Sequence, residues 1–385
     1  MTDWLDPSRP KLPPGSLLAI ADDLLADIYT IWLHLDDVCR LDSAVCMNWL
    51  RHHFLRLVST KVLRFLREEI EVVDGENICT TNHRALGLPE LNWISKRGIH
   101  LASLRMSSLG QVDGDYGDKV CDVVSTLVYK DHLNDLEMID IKGCSFMDAD
   151  DIASIITKNF KTIKIIDIRA RRPRDNDGIP SGSMWRHIKR CSELAAFAPE
   201  GTESLEDLST IFKMCQKLRK LNLTRFDNRL DNDDVNSVAE NCGLLESFNI
   251  EDCTSVSDDA ITLLARSCRF LSWVNLSATD ITDVAVISLC DHCPNIRALY
   301  MGRCILTDIS VMAVAAKLRG LIEVGLEIKA ITNSSVVTLA KSCPDLRVVL
   351  LDYCDGVDDD TLMVVGGTVV NSESCLLSDV LVLRL

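Results

Sequence analysis

The sequence predicts an α/β fold, a curved solenoid with parallel strands on its concave side and helices on its convex side. Three observations carry this expectation. An apolar phrase returns at a nearly fixed interval, a helix-start dipeptide keeps step with it, and cysteines fill two slots of the same period. Repeats are sought before elements are assigned, because a missed period misassigns the whole chain.

The phrase is apolar, two residues, apolar, one residue, apolar. It reads Leu218, Leu221, Leu223; Leu245, Phe248, Ile250; and Leu271, Val274, Leu276. It continues as Ile296, Leu299, Met301; Leu321, Val324, Leu326; and Leu346, Val349, Leu351. Successive first residues lie 27, 26, 25, 25 and 25 apart. The alternation that ends each phrase is the period-two mark of a short strand.

Ser257-Asp258, Thr282-Asp283, Thr307-Asp308 and Thr332-Asn333 follow in step, each 25 residues after the last. A hydroxyl that accepts an orphan backbone N–H, followed by an acid at the positive end of the dipole, predicts a helix start. Apolar residues such as Ala260, Leu263 and Leu264 then recur at helical spacing, and the helices should end near Cys268, Cys293, Leu318 and Cys343. A single unit cannot bury its own apolar face, so the units must stack. Strands sit about 4.8 Å apart and packed helices about 8–10 Å, so the stack curves with its strands inside.

Earlier units are less regular. Leu136, Ile139, Ile141 and Ile163, Ile166, Ile168 fit; Leu101, Leu104, Met106 fits at a longer interval; Leu194 and Phe197 fit poorly. Residues 169–183 read as an insertion with Arg169, Arg171, Arg172 and Arg174, a solvated basic loop.

The cysteines follow the repeat. Cys191, Cys215, Cys242, Cys268, Cys293 and Cys343 stand three residues before a strand phrase, and Cys144, Cys253, Cys304 and Cys354 stand eight residues after one begins. A small, weakly polar side chain suits a tight interior turn, so packing explains them better than metal or redox chemistry. The run Cys242 to Leu276 resembles the cysteine-containing subtype of leucine-rich repeats, and the resemblance extends over residues 98–385. It implies a curved leucine-rich repeat solenoid that binds proteins.

The front of the chain is a different module. Residues 1–15 hold four prolines and no periodicity, and read as a flexible tail. Within residues 16–60, Asp22-Asp23, Asp36-Asp37 and Asp42-Ser43 each open a short helix. Three such helices bury little surface, so the bundle should lean on the connecting segment 61–97 or on a partner.

Residues 20–50 resemble an F-box, with Leu24, Leu25, Ile28, Leu33, Asp37, Val38, Arg40, Leu41, Val45, Cys46 and Trp49 at the family's positions. The family's opening Leu-Pro is here Ile20-Ala21. The resemblance implies docking onto a Skp-type adaptor of a cullin ubiquitin ligase through Leu24, Leu25, Ile28, Leu33, Val38, Leu41, Val45, Cys46 and Trp49. The solenoid would then select the protein to be ubiquitinated. The same helices can also be read as a cap over the first repeat's apolar edge, in a plain scaffold or inhibitor.

Strand alternation places the residues two, four and six after each phrase start on the concave side. The partner-binding candidates are Lys220, Asn222, Ser247, Asn249, Trp273, Asn275, Tyr300, Glu323 and Leu350. The three asparagines should form a ladder, either for a partner or paired with one another. Trp273 and Tyr300 offer aromatic anchors.

Composition narrows the partners. Against 41 Lys+Arg stand 57 Asp+Glu, a net charge of −16, which argues against nucleic-acid phosphates and anionic membranes. No run of about 18 apolar residues predicts a membrane helix. Met1-Thr2-Asp3-Trp4 does not read as a secretory leader, and 16 cysteines then fit a reducing compartment, cytoplasm or nucleus. Cys290-Asp291-His292-Cys293 lacks a second pair at zinc-ribbon spacing, so neither metal nor other cofactor is expected. No phosphate loop, zinc-protease helix or nucleophile elbow occurs, which predicts a non-catalytic binding subunit. The last residues, Val380 to Leu385, read as a strand without a cap, which predicts either that the chain is a fragment or that a partner or a second copy covers that end.

Overall fold

The computed structural model describes residues 62–63, 86–97, 99–106, 115–142, 144, 149–169, 186–199, 208–224, 226, 230–351, 353–358, 361 and 382–384. The nine adaptor-binding candidates, Leu24 to Trp49, and the basic residues Arg171, Arg172 and Arg174 lie outside them. The described residues fall into two compact units, divided near residues 104–105 and 136–137.

The first unit holds β1 (Val62–Leu63), α1 (Leu88–Arg97), β2 (His100–Leu101), most of β3 (Ser103–Arg105) and α2 (Asp115–Tyr129). β1 and β2 pair in parallel, Val62 with His100 and Leu63 with Leu101. Leu91 and Ile94 are buried on α1, and the Tyr116 hydroxyl accepts the orphan amide of Leu88 at that helix's start.

The second unit alternates strand and helix. Its elements are β4 (Met138–Asp140), α3 (Ala149–Asn159), β5 (Ile165–Asp167), β6 (Ala196–Ala198), α4 (Leu208–Met214), β7 (Lys220–Asn222) and α5 (Asn232–Asn241). Then come β8 (Ser247–Asn249), α6 (Asp258–Ser267), β9 (Trp273–Asn275), α7 (Asp283–His292), β10 (Ala298–Tyr300) and α8 (Asp308–Lys317). β11 (Glu323–Gly325), α9 (Asn333–Ser342), β12 (Val348–Leu350) and β13 (Val382–Arg384) complete it. From β4 to β12 each strand pairs with the next in parallel, as a stack of like coils requires, and β13 closes the series antiparallel to β12.

The middle residue of each phrase aligns across the sheet. Ile139, Ile166, Phe197, Leu221, Phe248, Val274, Leu299, Val324 and Val349 occupy one register row and are all buried. Each such side chain contributes about 1.5–3 kcal/mol by leaving water, so the row is the solenoid's spine. Leu194 and Phe197, the poor match, form a full turn of the coil. Phe197 supplies the apolar residue, and the small Ala196 and Ala198 flank it fully buried.

The helix starts depart from a simple hydroxyl cap. Thr282 and Thr307 accept the amides of Val284 and Ile309, but Ser257 and Thr332 accept none. The acids reach across to the next coil instead. Asp258 accepts the Thr282 amide (2.8 Å) and hydroxyl (2.5 Å), and Asp283 accepts those of Thr307 (2.9 and 2.6 Å). Asp308 accepts both from Thr332 at 2.8 Å. Asn232 serves Ser257 in the same way, and Asn333 serves the Asp358 amide. Desolvation pushes the Asp308 carboxyl up, but the hydroxyls of Ser335 and Thr332 and the Thr332 amide outweigh it and hold it low.

The cysteines also bridge coils. Cys215, Cys268, Cys293 and Cys343 direct Sγ to the carbonyls of Cys191, Cys242, Cys268 and Leu318 at 3.4–3.5 Å, each one coil back. In the second slot Cys144, Cys253, Cys304 and Cys354 donate to Met106, Leu223, Leu276 and Leu326. Burial pushes the Cys191, Cys215, Cys242, Cys268 and Cys293 thiols up to about 12, so they stay protonated donors.

Candidate functional site

The concave candidates fall into two register rows. Lys220, Ser247, Trp273, Ala298, Glu323 and Val348 form the first; Asn222, Asn249, Asn275, Tyr300, Gly325 and Leu350 form the second. The structure thus brings all nine predicted residues onto one sheet face. Their depth differs from the expectation of outward exposure. Lys220, Asn222, Ser247, Asn249, Trp273 and Asn275 are buried, each 5% exposed or less, whereas Tyr300, Glu323 and Leu350 are half-buried.

The asparagines show why alternation misjudged depth. They do not pair with one another; each side-chain oxygen turns back onto its own strand end. Asn222 Oδ1 accepts the Thr224 amide at 3.0 Å, Asn249 Oδ1 the Glu251 amide at 2.9 Å, and Asn275 Oδ1 the Ser277 amide at 2.9 Å. Asp140 and Asp167 do the same for Lys142 and Arg169. These are Asx turns, in which a short polar side chain replaces the missing backbone partner where the strand stops. Three residues past the strand end the backbone is left-handed at Asp252, Ala278 and Arg303 (φ 61, 56 and 59°). The backbone N–H of each donates to the carbonyl of Ser277, Gly302 or Glu327 of the following coil.

The early part of the face is sealed. Met138, Ile165, Ala196 and Ala198 form a buried apolar cluster. Beside it Arg105 pairs with Asp140 at 3.2 Å and Arg169 with Asp167 at 2.6 Å. Arg169 therefore pairs with a buried carboxylate and does not belong to a solvated basic loop.

The late part is open. Trp273 and Tyr300 stack with centroids 5.5 Å apart and planes tilted by 44°. The Tyr300 hydroxyl donates to the Glu323 carboxylate. Arg303, about half-exposed, spans two carboxylates, Glu251 at 3.7 Å and Glu327 at 3.4 Å, and Asn275 Nδ2 donates to Glu251 at 3.3 Å. Gly325 and Gly302 make room for these groups. A Cβ on Gly325 would stand 2.9 Å from the Tyr300 ring, and one on Gly302 would stand 2.8 Å from Glu327 Cβ. Alternation puts Glu251 and Glu327, six residues after their phrase starts, on the concave side; it does not reach Arg303, seven residues after Ile296, which joins them.

The half zinc motif is dispersed. His292 Nδ1 lies 2.9 Å from the Ser288 carbonyl and Cys293 caps α7, and no metal-ligand cluster occurs among the described residues. No helix among the described residues is long and apolar enough to cross a membrane.

No family model matches the chain. Among solved structures it is similar to the yeast complex of Rad7 with Elc1, at 17% identity and TM-score 0.52, over 73% of this chain and 74% of that one. It also matches two internalins of Listeria monocytogenes. Internalin C2 is 18% identical with TM-score 0.34, over 55% of this chain and 76% of that one; InlF is 14% identical with TM-score 0.38, over 69% and 88%. The fold is that of a leucine-rich repeat solenoid, parallel strands on one side and helices on the other.

Proposed function

We propose that this chain is the substrate-recognition subunit of a Skp–cullin–F-box ubiquitin ligase. Residues 20–50 dock onto a Skp-type adaptor, and the concave face holds the protein to be ubiquitinated. The observation that carries the reading is a long parallel sheet whose open end groups aromatic, charged and apolar side chains on one wall. Such a wall suits a protein surface, because aromatic, charged and apolar groups set side by side are the usual anchors of protein interfaces. The fold likeness to Rad7, solved as a complex with Elc1, supports an assembly role in kind. The F-box resemblance of residues 20–50 supports the adaptor.

The test uses the full chain with a purified Skp-type adaptor in size-exclusion chromatography. Co-elution is expected, and loss of it in Leu41→Asp and Trp49→Ala. If the chain elutes alone, the front helices are a cap and the protein is a scaffold. Affinity purification should also recover cullin with the full chain.

A further inference from the structure

The open end of the concave face has a chemistry the rest of the wall lacks. We propose that β10–β12 receive an extended protein segment that carries one lysine or arginine followed closely by an apolar residue. The proposal rests on the reading above, that this face holds a protein, and names what that protein must present.

Charge comes first. Glu251, Glu323 and Glu327 bring three carboxylates to this end, and Arg303 is the cation placed among them. The patch is acidic within a chain of net charge −16, so it attracts a cationic segment. Glu323 is the group to which a new cation goes. Arg303 is taken by Glu251 and Glu327, whereas the one side-chain donor to Glu323 among the described residues is the neutral Tyr300 hydroxyl.

Geometry comes second. In the first row the small Ala298 stands between Trp273 and Glu323, and in the second Gly325 stands between Tyr300 and Leu350. The Tyr300 ring lies over Gly325, and Tyr300 and Glu323, joined by their hydrogen bond, are each half-buried on this face. An ammonium or guanidinium there meets an aromatic π-system and a charge-assisted acceptor at once. Val348 and Leu350, half-buried one strand further on, offer apolar contact to a neighbouring side chain. Adjacent strands are about 4.8 Å apart, which an extended segment crosses in one to two residues.

The test immobilises the full chain and selects from a displayed library of random hexapeptides. The selected peptides should share a Lys or Arg at one position with an apolar residue one or two places away. Norleucine in place of that Lys should weaken binding at least tenfold, and Glu323→Gln should do the same. Glu193→Gln, at an exposed pair with Lys217 away from this face, should change binding less than twofold. Glu327→Gln is the second variant should Glu323→Gln melt early, with a loss of threefold or more. Selected peptides without a cation, equal binding to Glu323→Gln, or no enrichment would each overturn the proposal. Adaptor co-elution is measured on the same protein. If adaptor binding persists while peptide selection fails, this inference falls and the ligase reading stands; the converse sinks the ligase reading alone.

Discussion

The two ends of the concave wall are built from the same strand phrase and end in different states. From β4 to β6 the wall is finished, with Met138, Ile165 and Ala196 packed and Asp140 and Asp167 each matched to an arginine. From β10 to β12 it is unfinished, with Tyr300, Glu323 and Leu350 half-buried and Gly325 beneath the Tyr300 ring. The difference lies in side-chain size and charge matching and not in backbone, since the register is continuous throughout. Periodicity therefore builds a wall, and departures from side-chain matching make part of it available for binding.

Substitutions separate the two ends. The largest effect is expected at the boundary. Trp273 is 2% exposed, so Trp273→Ala should cost about 3–5 kcal/mol in a denaturant titration, whereas Tyr300→Ala should cost about 1 kcal/mol or less. Equal losses would erase the distinction between sealed and open. Next comes Asp167→Ala, which takes the buried carboxylate from the half-buried Arg169; about 2 kcal/mol should be lost, and Asp167→Asn should recover part of it. Glu323→Gln, the corresponding change at the open end, should leave the melting temperature nearly unmoved.

A smaller effect is expected at the ladder between helix starts. Asp283→Ala removes the acceptor of the Thr307 amide and hydroxyl and should cost about 1–2 kcal/mol. Asp308 is held low, so its contribution is present at neutral pH and is lost as pH falls through its folded value, below the ordinary carboxylate range. Acid melts should show the Asp308→Asn protein losing less stability than the wild type below about pH 4.

The smallest effect has the opposite sign. At the start of α5, burial and the neighbouring Asp231 push the Asp234 carboxyl up to about 6. A raised acid favours folding below its unfolded value of 3.8 and loses that contribution as pH rises through about 6. Asp234→Asn should therefore add about 1 kcal/mol or less at pH 7.5, after allowance for solvent and the helix dipole, and nothing at pH 3.5. A gain that is the same at both values would show that the Asp234 charge is not its source.

Much of this fold was legible in the residues. Alternation gave every strand from β7 to β12 and the two concave rows, because side-chain direction follows backbone period alone. Depth was not legible. Whether Asn249 faces outward or folds onto the Glu251 amide depends on where the strand stops, which the apolar pattern does not encode. The link from Asp283 to Thr307 was hidden for a similar reason. Both residues had been explained by their own helix, and their meeting needs the neighbouring coil. The poor match at Leu194 and Phe197 misled because alanines fill the interior there as well as larger residues do.

The sulfur series along the coil has a practical corollary. Each thiol is shut away and held protonated only while two adjacent turns stay together, as with Cys268 against Cys242 and Cys293 against Cys268. An alkylating reagent thus reads the molecule like a ruler. Whichever cysteine is modified first marks the joint that opens first, and the order of labelling maps how the coil comes apart.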